Sequence, residues 1–269
     1  MWRKLRKHRP AVAGLIVLTL LFAFVLAAPL LPIPDPAEQD WQARLRPPEA
    51  DYPLGTDEFG RDILARIVFG GRVSLLAGII PVILGGTVGT AVGVVAGFFG
   101  RRLDMIAMRV MDIILAFPTL FLALAIVGTL GPGLLNAMLA VAVVNVPSYA
   151  RLVRGQVLSI RECEYVTAAR ATGADGGWIM VRHLLPNILA PLMVQSTLSV
   201  GFAVLATASL SFLGLGTQPP TADWGMMLAS ARRYLPEAWW LAVFPGAMIM
   251  LTVLSVNLFG EGLRDAVSE

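Results

Sequence analysis

Long stretches without a charged residue constrain the fold of this chain most. Five stretches contain no Lys, Arg, Asp or Glu, and the shortest is 23 residues long; they are residues 10–34, 73–100, 113–150, 183–222 and 238–260. A helix crosses a bilayer with about 20 apolar residues, so each stretch can hold at least one transmembrane span. The pattern excludes a soluble fold. It also excludes a transmembrane β-barrel, whose strands alternate over about ten residues.

The stretch over residues 113–150 is long enough for two spans. A cluster of turn-forming residues lies at its middle: Gly128, Gly131, Pro132 and Gly133. The sequence therefore predicts an all-α membrane protein with six transmembrane helices. They are expected near residues 11–31, 73–99, 113–130, 134–150, 188–213 and 239–260. Composition agrees, because 14% of the residues are charged where soluble domains have about 25%.

The basic N-terminal tail, residues 1–10, sets the predicted orientation. It carries five Lys or Arg residues directly before the first apolar run. A secretory signal peptide is the alternative, but its apolar region is usually about 7 to 15 residues long, which favours an uncleaved span here. The positive-inside rule then places the N-terminus in the cytoplasm, and six spans return the C-terminal tail, residues 261–269, to the same side.

The predicted outer loop covers residues 32–72. Its first part is rich in proline and has no helical period, which is typical of an extended segment. From Thr56 to Arg72 apolar residues recur at helical spacing, with Asp62 and two arginines on the opposite side. This pattern predicts a short interfacial helix capped by Thr56 or Asp57. An ordinary packed connector and a substrate-facing element are equally good interpretations of its role.

The second predicted span carries a stripe of glycines at four-residue intervals. They are Gly85, Gly89, Gly93 and Gly97. Such a stripe lets another helix approach closely, so it predicts helix packing and no chemistry at this face.

Charged residues collect at the mouth of the third predicted span. The spacing of Asp104, Arg109 and Asp112 predicts local ion pairing with an arginine that reaches toward the interface. No predicted span has an ionisable residue near its centre. We therefore expect no internal proton relay, and energy for uphill transport should enter from outside the bilayer.

Several classes of chemistry lack their usual residues. Lys4 and Lys7 are the only lysines and no P-loop motif occurs, so ATP hydrolysis by this chain is not expected. His8, His183 and the single Cys163 supply no metal-site pattern. No protease constellation lies in the spans, and the basic residues cluster beside apolar runs, which argues against nucleic-acid binding. We expect no catalytic site, bound cofactor or metal.

The longest predicted cytoplasmic segment covers residues 151–187. Residues 161–173 suit a helix that ends at Gly173, and Asp175 is a candidate N-cap for a second short helix carrying Trp178. Two helices joined by a sharp turn, with an exposed apolar face, form a docking element for another protein. On these grounds alone, a loop folded against its own bundle is an equally good interpretation.

Residues 164–187 resemble the cytoplasmic EAA loop of the permeases of binding-protein-dependent ABC importers. The positions of its acid-Ala-Ala triplet, its glycine and its closing Leu-Pro are occupied by Thr167, Ala168, Ala169, Gly173, Leu185 and Pro186. Thr in place of the usual Glu is found in the dipeptide, oligopeptide and nickel branch. Residues 54–75, 111–120 and 210–228 also resemble that branch, most closely the permease subunit labelled C in peptide importers.

The resemblance implies a type I ABC importer permease fold, with a core over residues 73–260, in a multi-pass protein of the inner (plasma) membrane. It implies a transport subunit without enzymatic activity, paired with a homologous permease. Two cytoplasmic ABC ATPase subunits, which carry ATP and Mg, would bind the EAA loop, including Ala174, Asp175 and Trp178. An extracytoplasmic solute-binding protein would deliver the solute.

The solute stays open between dipeptides, oligopeptides and nickel, because selection usually lies in the binding protein and in a cavity shared with the partner permease. A channel or scaffold subunit without energy coupling is the competing hypothesis. It predicts that residues 161–187 contact no nucleotide-hydrolysing partner. A membrane enzyme would need a catalytic constellation that the sequence lacks.

Overall fold

The computed structural model describes residues 5, 8–30 and 32–268 as a helical bundle. Most of the predicted basic tail, Leu31 at the end of the first predicted span, and Glu269 lie outside the described residues. The helices are α1 Arg9–Leu26, α2 Ile63–Phe99, α3 Arg101–Ala116, α4 Thr119–Leu130, α5 Leu134–Ile160, α6 Glu164–Ala171, α7 Gly176–Ile179, α8 Leu185–Phe212, α9 Trp224–Ala231 and α10 Trp240–Ser268. A π-helical turn, Met180–Leu184, joins α7 to α8.

Five helical segments of the described chain are long and apolar enough to cross a bilayer: α1, α2, α5, the continuous run from α7 through α8, and α10. Helices α3 and α4 form a pair bent by 94°. With this pair counted as one span, the number matches the predicted six. The predicted third span, residues 113–130, is bent within its length, because the chain leaves the helix at Phe117 before Pro118, which disfavours helical geometry in the residue before it.

The bundle has two different ends. At the capped end, residues 40–62 and 213–239 fold over the helix termini, and the Trp240 Nε1–H donates to the Thr56 carbonyl at 3.1 Å. Helices α6 and α7 lie at the opposite end, the α6–α7 end. His8 and Asp265 pair there at 3.6 Å. The described residues nearest the two chain termini therefore lie at the same end of the bundle.

Helix α2 begins at Ile63 and runs unbroken to Phe99, so the predicted interfacial helix that leads into the second span is the first part of that same helix. The cap is Asp62, whose Oδ1 accepts the Ala65 N–H at 3.1 Å. Thr56 and Asp57 are unavailable as caps because the preceding turn uses them. The Thr56 hydroxyl donates to the Ala43 carbonyl, and the Asp57 carboxylate accepts backbone N–H bonds within its own turn.

The charged side chains predicted to face away from the apolar side of this helix are buried. The Arg61 and Arg66 side chains are 7% and 3% exposed, and their Nε atoms lie 2.6 and 3.4 Å from Asp57 Oδ2. Arg66 also donates to the Pro36 carbonyl at 3.1 Å. Burial of charge is costly without a partner, so this three-residue group ties the extended loop to the start of α2.

The glycine stripe of α2 lies against α5. A Cβ added at Gly85, Gly89 or Gly93 would lie 2.5 to 2.6 Å from a backbone carbonyl oxygen of α5, and one at Gly97 would lie 2.8 Å from Val157. A Cβ atom essentially never lies this close to another heavy atom in a folded protein. The stripe therefore packs two helices of one chain together, and these two long helices form the centre of the bundle.

The acids at the start of the third predicted span pair across helices. Arg154 of α5 donates to Asp104 through its Nη2 at 2.7 Å, and Arg151 donates to Asp112 at 2.6 Å. Arg109 is not among the ion pairs of the described residues. The predicted local pairing is wrong because the bend after α3 lays that helix across α5, which brings its acids beside the arginines of α5.

Two boundaries also differ from prediction. Helix α5 continues to Ile160, and α10 continues to Ser268, so most of the predicted C-terminal tail is helical. Charged residues at these positions end the apolar run without ending the helix, because they carry good helix propensity once outside the apolar region.

Candidate functional site

The turn after α6 has the geometry of a Schellman motif. The Gly173 N–H donates to the Arg170 carbonyl and the Ala174 N–H to the Ala169 carbonyl, each at 3.0 Å. Gly173 has φ +84°, in the left-handed region that residues with a Cβ rarely adopt. This glycine therefore sets the direction in which the chain leaves α6.

Helix α7 begins at the predicted cap. The Asp175 carboxylate accepts the Gly177 N–H at 2.8 Å. The helix then continues through the π-helical turn into α8, whose first turn holds Leu185 and Pro186. The Leu185 N–H bonds to the Met180 carbonyl, five residues back, and Pro186 follows it with no N–H to contribute to the helix. The second helix of the predicted docking element is therefore one end of a long helix that runs from Gly176 to Phe212.

One face of the α6–α7 segment, residues 161–187, is packed against the bundle. Val166 and Leu184 are fully buried and Ile179 is 1% exposed. Phe98 at the end of α2 belongs to the same apolar cluster, and the Arg170 guanidinium carbon lies 5.3 Å from its ring centroid. The packed-loop interpretation of this segment is therefore correct for its inner face.

The outer face of the segment exposes large apolar side chains. Tyr165, Trp178 and Val181 are 43%, 51% and 68% exposed. The His183 ring lies between the two aromatic residues, with its centroid 4.9 Å from that of Trp178 and 5.7 Å from that of Tyr165. A contiguous aromatic and aliphatic surface of this kind is typical of a protein interaction site.

The predicted loop residues fall on this face or at its edge. Seven of them are exposed: Thr167, Ala168, Gly173, Asp175, Trp178, Leu185 and Pro186. Ala169 and Ala174 are partly buried and contact the bundle. Sequence reasoning missed Tyr165, Val181 and His183, although aromatic rings within a segment of otherwise small side chains were a usable signal.

A long groove runs along the bundle beside this segment. Its volume is about 720 Å³, and it lies between α2 and α8. Gly177, Met180 and Val181 form its wall at the α6–α7 end, and Tyr149 donates a hydrogen bond to Ser196 at 3.2 Å within it. The segment that presents the exposed aromatic face thus also lines the groove. Among the described residues, no three His, Cys, Asp or Glu side chains are placed to hold a metal ion.

Comparison with protein families gives two matches along the chain. The model for the binding-protein-dependent transport system inner membrane component matches residues 89–269. The chain belongs to this family. The model for the N-terminal transmembrane domain of oligopeptide transport permease C matches residues 1–48. The family assignment makes the chain a multi-pass permease subunit of an ABC importer in the inner membrane, working with a partner permease and with ATPase activity on a separate subunit.

Several relatives align over nearly the whole chain. The dipeptide transport system permease protein DppC of Alkalihalophilus pseudofirmus is 48% identical over 99% of this chain and 88% of its own length. The di/tripeptide transport system permease protein DppC of Pseudomonas aeruginosa is 46% identical over 99% and 90%. The probable D,D-dipeptide transport system permease protein DdpC of Escherichia coli is 45% identical over 94% and 85%.

The fold matches a solved transporter. A chain from inward-facing conformations of the MetNI methionine ABC transporter superposes with a TM-score of 0.58 and 20% identity, covering 75% of this chain and 96% of that chain. The predicted type I ABC importer permease fold is confirmed.

Proposed function

We propose that this permease subunit forms, with a homologous permease, the membrane pathway for uptake of short peptides delivered by an extracytoplasmic binding protein. Two ABC ATPase subunits bind ATP and Mg and drive the cycle. The observation that carries the energy-coupling part of this proposal is the α6–α7 segment, which is packed against the bundle on one face and exposes Tyr165, Trp178 and Val181 on the other.

The exposed face is the proposed ATPase contact. Three large apolar side chains on a rigid support offer an anchor that burial in a partner would stabilise, and aromatic residues are enriched at such anchors. The small side chains of Thr167 and Ala168 on α6 leave room for the partner surface beside them. This face stays unpartnered in the isolated chain, which accounts for its exposure.

The coupling path follows from the continuity of α7 and α8. Closure of the ATPases would move α7, and the π-helical turn transmits that displacement to α8. Because α7 and α8 both line the groove beside α2, the same movement changes the shape of the groove. An ATP-driven shift between inward-open and outward-open states is a population shift of this kind, with the loaded binding protein favouring the outward-open state.

Short peptides are the favoured cargo. The relatives named above are described as dipeptide, di/tripeptide and D,D-dipeptide permeases, and the glutathione transport system permease protein GsiD of Pectobacterium atrosepticum is 42% identical over 99% of this chain. All four names describe solutes built from two or three amino-acid residues. This supports short peptides over nickel, the other solute that the branch resemblance leaves open.

The coupling assignment is tested by replacing the exposed tryptophan. We expect Trp178→Ala to leave the chain folded in the membrane, because its ring is about half exposed, and to reduce both co-purification of the ATPases and uptake of labelled dipeptide. Trp41→Ala is the matched control, since Trp41 is 65% exposed at the capped end. Equal ATPase recovery from both variants would contradict the assignment of this face.

The orientation is tested by thiol labelling. Cys163 is the single cysteine of the chain and lies at the start of α6, partly exposed. If the α6–α7 end is cytoplasmic, a membrane-impermeant maleimide should label Cys163 in inverted vesicles and not in intact cells. Labelling in intact cells would show that the orientation is the opposite of the predicted one.

The cargo is tested by measuring uptake of a length series of labelled peptides and of Ni²⁺.

A further inference from the structure

A second concave site lies at the capped end, far from the coupling segment. Its volume is about 410 Å³, and its walls come from the loop after α8, the end of α9 and the turn at Glu58. Helix α8 separates it from the α6–α7 segment by nearly the full length of the bundle, because α8 begins at Leu185 beside α7 and ends at Phe212 on the wall of this pocket.

A buried hydroxyl in this pocket lacks a hydrogen-bond partner. Thr217 is 4% exposed and lines the pocket. Its Oγ1 is the single buried side-chain polar atom without a hydrogen bond among the described residues. A buried hydroxyl left unpaired costs about 1–3 kcal/mol, so an atom of this kind marks a place where a ligand group or water completes the site.

The position of this hydroxyl is fixed by its surroundings. The Thr217 N–H donates to Ser211 Oγ at 3.2 Å, and Ser211 in turn donates to the buried Asp223 carboxylate at 3.0 Å. Gln218 holds the same loop through hydrogen bonds to the carbonyls of Gly214 and Gly216, at 3.1 and 3.0 Å. These hydrogen bonds therefore hold the loop that carries Thr217 in place without a ligand.

The pocket is lined by side chains of both charges. Arg232 and Arg233 line it from the end of α9, and Glu58 shares the lining. None of these three side chains is among the ion pairs of the described residues, and the Glu58 charge acts on the buried Arg66 from a longer distance. The Arg232 guanidinium carbon lies 5.9 Å from the Phe212 ring centroid, a cation–π distance that leaves the guanidinium N–H groups free to bind.

This combination selects a particular kind of ligand. Each of the two guanidinium groups on the lining matches a carboxylate, a carboxylate side chain matches an ammonium group, and a threonine hydroxyl can donate or accept. The volume falls in the range of about 300–1,000 Å³ typical of small-molecule sites. We propose that this pocket is a site for a short zwitterionic peptide, with its C-terminal carboxylate on Arg232 and Arg233 and its ammonium group toward Glu58.

The proposal rests on the peptide cargo proposed above and deepens it, since the permease itself would then hold the peptide at the entrance. The probe is alanylalanine, compared with its C-terminal amide, bound at equilibrium to the purified permease–ATPase complex in nanodiscs without binding protein. We expect the amide, and the Arg232→Gln/Arg233→Gln variant with the free peptide, to bind about tenfold more weakly or worse, as for loss of a hydrogen bond to a charged group.

Two further variants sharpen the test. Thr217→Val keeps the side-chain shape without the hydroxyl and should weaken binding several-fold. Arg44→Gln is the matched control, because Arg44 is an exposed arginine of the same end that is not among the ion pairs of the described residues, and it should bind as the wild type does. Equal binding of peptide and amide, or peptide binding unchanged by all three pocket substitutions, would overturn the proposal.

Uptake separates this proposal from the cargo assignment. If the wild type takes up dipeptides with their binding protein but the complex binds none directly, the pocket assignment fails and the proposed function stands. If the arginine substitutions weaken capture of the binding protein and leave peptide affinity unchanged, the carboxylate belongs to that protein and the peptide site is wrong. If no peptide is taken up with any binding protein, the cargo assignment itself fails.

Discussion

Two tryptophans buried at the capped end contrast with the exposed tryptophan of the α6–α7 end. At the capped end Trp224 and Trp240 are 0% and 5% exposed, and their Nε1–H groups donate to the Ile67 and Thr56 carbonyls. At the α6–α7 end Trp178 is 51% exposed and stacks edge-on to His183. A buried indole needs a partner for its N–H, whereas a half-exposed one bonds to water or awaits a partner protein.

The difference indicates which end a single chain can complete. Around the capped end, the buried charges and the buried indoles find partners inside the chain, whereas Trp41 and Trp239 stay exposed at its surface. At the α6–α7 end, the inner face is equally well packed but the outer face leaves aromatic side chains to solvent. The first end is closed mainly by contacts within the chain, and the second carries the exposed face that we propose as the ATPase contact.

The largest effect expected is at the buried ion group of the capped end. Asp57→Ala leaves the Arg61 and Arg66 guanidinium groups buried without their carboxylate, and removing one member of such a group costs about 3–5 kcal/mol. Thermal unfolding of the purified chain, or its amount in the membrane, measures this loss. The control is Glu49→Ala, which breaks a half-exposed pair with Arg46 and should cost less than about 1 kcal/mol. Equal losses would show that the capped end is not closed by this group.

The next effect concerns the packing that connects the two ends. We expect Gly93→Leu to force α2 away from α5, at a cost of about 1–3 kcal/mol or more, and to reduce stability and assembly of the complex. Gly155→Leu is the matched control on α5, because a Cβ at Gly155 meets nothing within 4 Å. A fully stable complex with Gly93→Leu would mean that the helices separate in the assembled transporter.

A smaller energetic effect with a large functional result is expected at Gly173. Valine at φ +84° costs about 1–2 kcal/mol, which the packed inner face tolerates, so membrane levels should stay normal. The direction of α7 should change, and uptake and binding-protein-stimulated ATP hydrolysis should be lost together. Gly173→Asn should retain both, since Asn tolerates the left-handed region. Wild-type transport by Gly173→Val would show that this turn does not couple the ATPases.

The smallest effect is expected at the ion pairs between α3 and α5. Arg151 and Asp112 are about half exposed, and exposed pairs typically contribute about 0.2–1 kcal/mol. A double-mutant cycle with Arg151→Gln and Asp112→Asn, followed by thermal unfolding, should give a coupling energy in that range. A coupling as large as the loss at Asp57 would show that this pair becomes buried in the assembled transporter, and the contrast between the two ends would then be smaller than in the single chain.

The sequence by itself determined the all-helical class, six apolar segments, the family resemblance and the stop at Gly173, because hydropathy, glycine spacing and turn chemistry act locally along the chain. Tertiary structure decided the rest. Asp57, Arg61 and Arg66 are charged, so sequence alone predicts that they are exposed. They are buried because the loop around Pro36 folds over them. Asp104 pairs with Arg154 and Asp112 pairs with Arg151 because the 94° bend after α3 brings that helix across α5. The exposure of Trp178 likewise depends on which face of its helix the bundle covers, a choice made by contacts between residues far apart in sequence.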